Sequence, residues 1–159
     1  MKTLVVYYSR SGITRQVAEA LARELGADLE EIAEPAKRAG VWGFLKSGRE
    51  AFMKITPEIN PGQRQPSDYD LVIVGTPVWA NTMASPVRAW LTAHGSSLGK
   101  AAFFCTTASS GGEKAPRDMA ALAGKNPLAT AYFLEKQVKS GLVAEAVAAL
   151  CAKLRQPAE

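Results

Sequence analysis

The stretch that most constrains the fold of this 159-residue chain is LVVYYSRSGITRQVAEALAREL, Leu4 to Leu25. An apolar run of strand length, Leu4 to Tyr8, breaks into Ser9-Arg10-Ser11-Gly12-Ile13-Thr14. It then at once becomes a helical pattern, with Ile13, Val17, Leu21 and Leu25 recurring every four residues. A strand with no polar face must be covered on both sides, and an amphipathic helix entered through a tight turn is a segment that can return over it. Further strand-length apolar runs lie at Leu71–Gly75, Ala101–Thr106 and Ala129–Leu134, with a weaker alternating candidate at Asp28–Ala33. A second helical stripe runs through Val143, Val147 and Cys151, widened by Leu142, Ala146, Leu150 and Leu154. Strands alternating with amphipathic helices predict an α/β fold, a parallel sheet covered by helices on both faces.

The length suits one domain, so residues 1–159 are expected to form a single unit. No apolar run approaches the ~18 residues of a membrane span, and none is expected. Met1-Lys2-Thr3 runs straight into the first strand without the features of a secretory signal, which makes the cytoplasm the expected compartment. Cys105 and Cys151 sit in apolar surroundings and read as small buried hydrophobes, and His94 is the single histidine, so no metal site is expected. The formal charge of +4 is mild and gives no reason to expect a nucleic-acid partner.

The basic excess is unevenly spread. Between Pro35 and Lys54 lie Lys37, Arg38, Lys46, Arg49 and Lys54, against Glu50 alone. This connection is either an ordinary solvated face or a contact for an anionic partner or cofactor. Within it Val41, Leu45, Phe52 and Ile55 recur at helical spacing with Gly48, which predicts a helix laying those residues on the sheet. Trp42 or Phe44 could instead form part of a lid over a ligand.

In open parallel sheets ligands bind outside the carboxyl ends of the strands, and three loops fall there. The first is Ser9, Arg10, Ser11, Gly12, Ile13 and Thr14. Its hydroxyls, its glycine and the helix N-terminus that follows concentrate donors on one point, as a phosphate cradle would. The plain alternative is a tight turn with a capped helix. The second loop, around Pro77, Val78, Trp79, Ala80, Asn81 and Thr82, sets a large aromatic among small and polar residues, suited to a flat heterocycle if Trp79 is not simply core. The third, with Thr106, Thr107, Ala108, Ser109, Gly111 and Gly112, lets backbone approach a ligand closely.

Residues Val5 to Ala18 fit the flavodoxin signature throughout: two aliphatics, an aromatic, then Ser9, Gly12, Thr14 and Ala18 at its spacing. The chain thus resembles the flavodoxin and flavodoxin-like FMN-binding family, in a basic, short-chain form. The resemblance implies a flavodoxin-like three-layer sandwich whose five-stranded parallel sheet has the order 2-1-3-4-5. It implies one non-covalent FMN, its phosphate in the first loop and its ring between the second and third. It also implies electron transfer through that FMN, with no catalytic side chain, since the flavin performs the chemistry. The partner is a redox protein, or a small quinone with NAD(P)H if the chain is an FMN-dependent oxidoreductase; a flavin-free binding module is the remaining alternative. A monomer or weak homodimer is expected.

The sequence departs from the electron-transfer flavodoxins in being basic, in lacking a glycine within PVWANT and in lacking an aromatic in TTASSGG. Two other chemistries on this architecture are excluded by residues they require. A response regulator needs paired acids where Tyr8-Ser9-Arg10 stands, and a low-molecular-weight tyrosine phosphatase needs an arginine where Gly111 follows Cys105.

Overall fold

The structure, a computed structural model, describes residues 1–35, 40–54, 56–109 and 112–156. Strands β1 (Thr3–Tyr7), β2 (Asp28–Glu31), β3 (Leu71–Trp79), β5 (Lys100–Thr107) and β6 (Thr130–Leu134) form a parallel sheet in the order β2-β1-β3-β5-β6. Counted without the short strand β4 (Thr82–Met83), this is the expected order 2-1-3-4-5. Strand β4 was not anticipated. It folds back antiparallel on the end of β3, pairing Thr82 with Trp79 and Met83 with Val78.

The central strands are buried on both faces, and alternate residues serve two separate cores. Leu4, Val6, Val72, Val74 and Phe103 face one way, toward α2 (Gly40–Phe52), α3 (Ser85–His94) and α4 (Lys114–Ala123). Val5, Tyr7, Leu71, Ile73 and Phe104 face the other, toward α1 (Ile13–Leu25), the short α5 (Glu135–Lys139) and α6 (Ala144–Arg155). That is a three-layer α/β sandwich. At Gly75 in β3 the ring of Phe104 lies where a Cβ would stand, 2.1 Å from its built position, so this crossing of β3 and β5 requires glycine.

Helix α1 forms as its spacing predicts, with Ile13, Val17 and Leu21 buried, and it ends at Gly26 in the left-handed conformation that caps helices. The C-terminal stripe is narrower than expected. Val147, Leu150, Cys151 and Leu154 are buried, but Leu142 is 73% exposed in the turn before α6 and Ala146 faces solvent. Leu142 lies in the turn between α5 and α6, where Gly141 takes φ 73°, so the helix begins only at Ala144.

The larger correction concerns α2. The helix exists, but it turns Gly43, Ser47, Glu50 and Ala51 inward and leaves Trp42, Leu45 and Phe52 at 83%, 54% and 78% exposure. Ser47 donates to the Gly43 carbonyl at 2.6 Å, and Ser85 at the start of α3 donates to Glu50 at 2.9 Å. These small residues and the bonded carboxylate face β3, β4 and α3, against which α2 packs. Lys37, Arg38, Ile55 and Gly111, and the side chains of Val41 and Phe44, lie outside the described residues.

Candidate functional site

The first loop is shaped from within. Gly12 adopts φ 93°, and its N–H donates to Ser9 Oγ at 3.0 Å, which curls the backbone so that α1 starts at once, the Gln16 N–H reaching the Gly12 carbonyl. No side chain caps this helix and no acid lies in its first turn, so its leading N–H groups keep their positive field for something else. Thr14 is 1% exposed, and its hydroxyl meets that of Thr106 at 2.8 Å, tying the first loop to the end of β5.

The second loop is a two-residue hairpin. Ala80 and Asn81, at φ 47° and 63°, both take the left-handed conformation that such a turn demands between strands twisted as these are. Thr76 Oγ1 secures its base, donating to the Pro77 carbonyl at 2.8 Å and accepting from the Ala84 N–H at 2.9 Å. Trp79, 8% exposed, stands edge-on to Tyr8 with ring centres 5.4 Å apart, and Tyr8 in turn donates to Glu34 at 2.9 Å. Trp79 is thus a core residue and a wall residue at once.

Beside the hairpin, Asp118 of α4 accepts from Thr82 at 2.7 Å and from Lys114, with Arg88 of α3 contributing its charge. Burial alone would push the Asp118 carboxyl up. The two hydrogen bonds and the guanidinium outweigh it and hold the group below the ordinary carboxylate value, so it stays ionised and braces β4 against α4. In Cys105 burial pushes the thiol up to about 12, and the thiol donates to the Gly112 carbonyl at 3.3 Å. That is an inert structural cysteine, as its apolar setting predicts.

Between the three loops lies a cleft of about 390 Å³. Its lining takes Arg10, Ser11, Ile13 and Thr14 from the first loop, Pro77, Val78, Trp79, Ala80 and Asn81 from the second, and Thr106, Thr107, Ala108 and Ser109 from the third. Ser9 and Gly12 shape the first loop from behind. Thr82 turns to Asp118, and Gly112 packs beside the Tyr132 ring in a neighbouring groove. One lining residue escaped the sequence reading. Glu135 follows β6, so it too lies beyond the carboxyl end of a strand, and applying that rule to the last strand would have found it.

The start of α1, the hydroxyl residues Ser11, Thr14, Thr106 and Thr107, and Trp79 all line this one cleft. A family model described as flavodoxin matches residues 2–150. The chain belongs to the flavodoxin family. Among solved structures, a flavoprotein of Lactobacillus acidophilus in complex with FMN is similar at 27% identity and TM-score 0.73, covering 87% of this chain and 97% of that one. Proteins of Bacteroides eggerthii and Bacteroides uniformis, both described as flavoproteins, match at 23% and 20% identity with TM-scores of 0.73 and 0.75. They cover 92% and 95% of this flavodoxin-family chain, and 98% and 97% of their own, and at that identity they speak for the fold. No helix among the described residues is long and apolar enough to cross a membrane.

Proposed function

We propose that this flavodoxin-family chain binds one FMN non-covalently in the three-loop cleft and serves as a redox protein through it. One observation carries the reading. The uncapped N-terminus of α1, free of acids in its first turn, opens into a cleft that Trp79 also lines. The N–H groups of the first turn, with the Ser11 and Thr14 hydroxyls, would hold the phosphate dianion. Trp79 and the hairpin would offer one side of the flat ring, and the Thr106–Ser109 segment the other. The L. acidophilus relative, solved with FMN, supports the same ligand.

The flavin, when bound, supplies the electron chemistry. The chain's task is to hold it and set its surroundings. Among the described lining residues Glu135 is the one carboxylate and Arg10 the one guanidinium. This wall does little to repel a flavin that has become an anion on full reduction, which favours two-electron exchange with small acceptors such as quinones over a strictly one-electron role.

Two substitutions test the binding mode. Thr14→Ala removes one hydroxyl and should weaken FMN by about 1 kcal/mol while leaving riboflavin, which lacks phosphate, nearly unchanged. Trp79→Leu should weaken both by about 1 kcal/mol. Flavin fluorescence titration reads all four affinities. Equal losses of the two ligands in Thr14→Ala would remove the phosphate from this loop. A protein that takes up neither flavin would be a binding module of another kind.

A further inference from the structure

Of the eight large hydrophobic side chains exposed among the described residues, four fall within twelve positions of one connection: Trp42, Leu45, Phe52 and Met53. The clustering matters because scattered exposed apolar residues are ordinary, whereas a contiguous patch marks an interaction surface. At about 100° per residue Phe52, Leu45, Arg49 and Trp42 follow one another around the outer face of α2. Arg49 therefore stands inside the apolar arc, and Lys46 stands at its edge. The one acid of the helix, Glu50, is turned inward to Ser85 at 7% exposure. Lys46 is paired with Glu50 at 3.8 Å, so the outer face is apolar with Arg49 as its charge.

We propose that this face docks an acidic redox protein, an inference that rests on the FMN reading above. Helix α2 packs on β3 and β4, the two strands joined by the Ala80–Asn81 turn that lines the cleft, so the helix neighbours the elements that carry the second loop. With FMN bound, each encounter would pass one electron from the partner's reduced centre to it, and two encounters would supply the two electrons of full reduction. Tryptophan and arginine are the residues that dominate binding at protein interfaces, and a guanidinium among apolar groups pairs bidentately with a carboxylate. A second copy of the chain would bring Arg49 against Arg49, which opposes pairing through this face. A lipid surface would have to bury Arg49 from the centre of the arc, where a helix lying in the interface carries apolar groups.

The probe is an acidic [2Fe–2S] ferredoxin, titrated calorimetrically against the wild-type chain with and without FMN, at low and high ionic strength. Binding at low salt that weakens as salt rises is expected, with a roughly tenfold loss in Arg49→Glu and in Trp42→Ala. Lys153→Glu, the same charge change on the exposed side of α6, should leave binding intact. Reduced ferredoxin should then reduce the FMN form at a rate that follows the same ranking, while dithionite reduces all variants alike. Absence of binding, salt-independent binding, or equal affinity in Arg49→Glu would overturn the proposal. So would Trp42-dependent sedimentation with phosphatidylglycerol vesicles, or a dimer that Phe52→Ala dissociates, each assigning the face to another occupant. Failure to take up FMN is a separate result, because ferredoxin binding is read on the flavin-free chain as well.

Discussion

Helices α1 and α2 are both thirteen residues long, and both space apolar residues at helical intervals, yet they meet the sheet in opposite senses. Helix α1 buries its large apolar side chains on a sheet face supplied by Val5, Tyr7, Leu71 and Ile73. Among its described side chains, helix α2 buries glycine, serine, alanine and a bonded carboxylate, and shows Trp42, Leu45 and Phe52 to solvent. A hydrophobic period therefore identifies an arc, and the surface opposite decides whether that arc or its complement goes inward. The strand faces offer α1 room for long side chains. The N-terminus of α3 and the β4 hairpin offer α2 a hydroxyl and a close approach.

Matched truncations would break this comparison most sharply. Leu21 is fully buried, so Leu21→Ala should cost about 2–5 kcal/mol of stability, while Phe52→Ala should change it by less than about 0.5 kcal/mol. Urea unfolding of the flavin-free protein compares the two directly. Similar losses would mean that α2 packs through Phe52 and that the two helices behave alike.

A second substitution probes the small face of α2 from the other direction. Ala51 is fully buried against the sheet. Ala51→Leu restores a large apolar residue on the inner side and should cost about 1–3 kcal/mol by overpacking. A neutral or stabilising result in the same urea experiment would show space beneath α2 that could have taken the other arc.

The same contrast explains what could be read in the sequence. Leu4–Leu25 specified strand, loop and helix correctly because every level agreed: an apolar run, a glycine at the turn, and an apolar stripe facing a continuous sheet. The three cleft loops followed from the rule that ligands sit beyond the carboxyl ends of parallel strands, and the sheet order came with the family resemblance that this stretch carries. The orientation of α2 was not legible, because Ser47 and Glu50 look like solvent residues until Gly43 and Ser85 are seen to satisfy them. The β4 hairpin was hidden for a related reason. Its turn is Ala-Asn, without the glycine that usually announces such a turn, and Pro77 makes the preceding segment read as loop.

The smallest effects lie in the two cleft loops, which solve one backbone problem in different ways. The first loop places glycine at its left-handed position, Gly12 at φ 93°, where a Cβ would meet nothing within 4 Å. Gly12→Ala should therefore cost about 1–2 kcal/mol from backbone conformation alone. The second loop places Ala80 at φ 47°, an alanine where glycine would rest without that strain. Ala80→Gly relieves it but gives the unfolded chain more freedom to lose, so the net gain should be only about 0.5–1 kcal/mol. In a protein of this size that raises the thermal midpoint by roughly 2 °C. Both shifts are measured on the flavin-free protein, so ligand affinity does not enter. Opposite signs at the two positions would establish that the hairpin holds its left-handed turn against the preference of its own sequence; a loss in Ala80→Gly would mean that the alanine methyl makes a contact worth more than the strain.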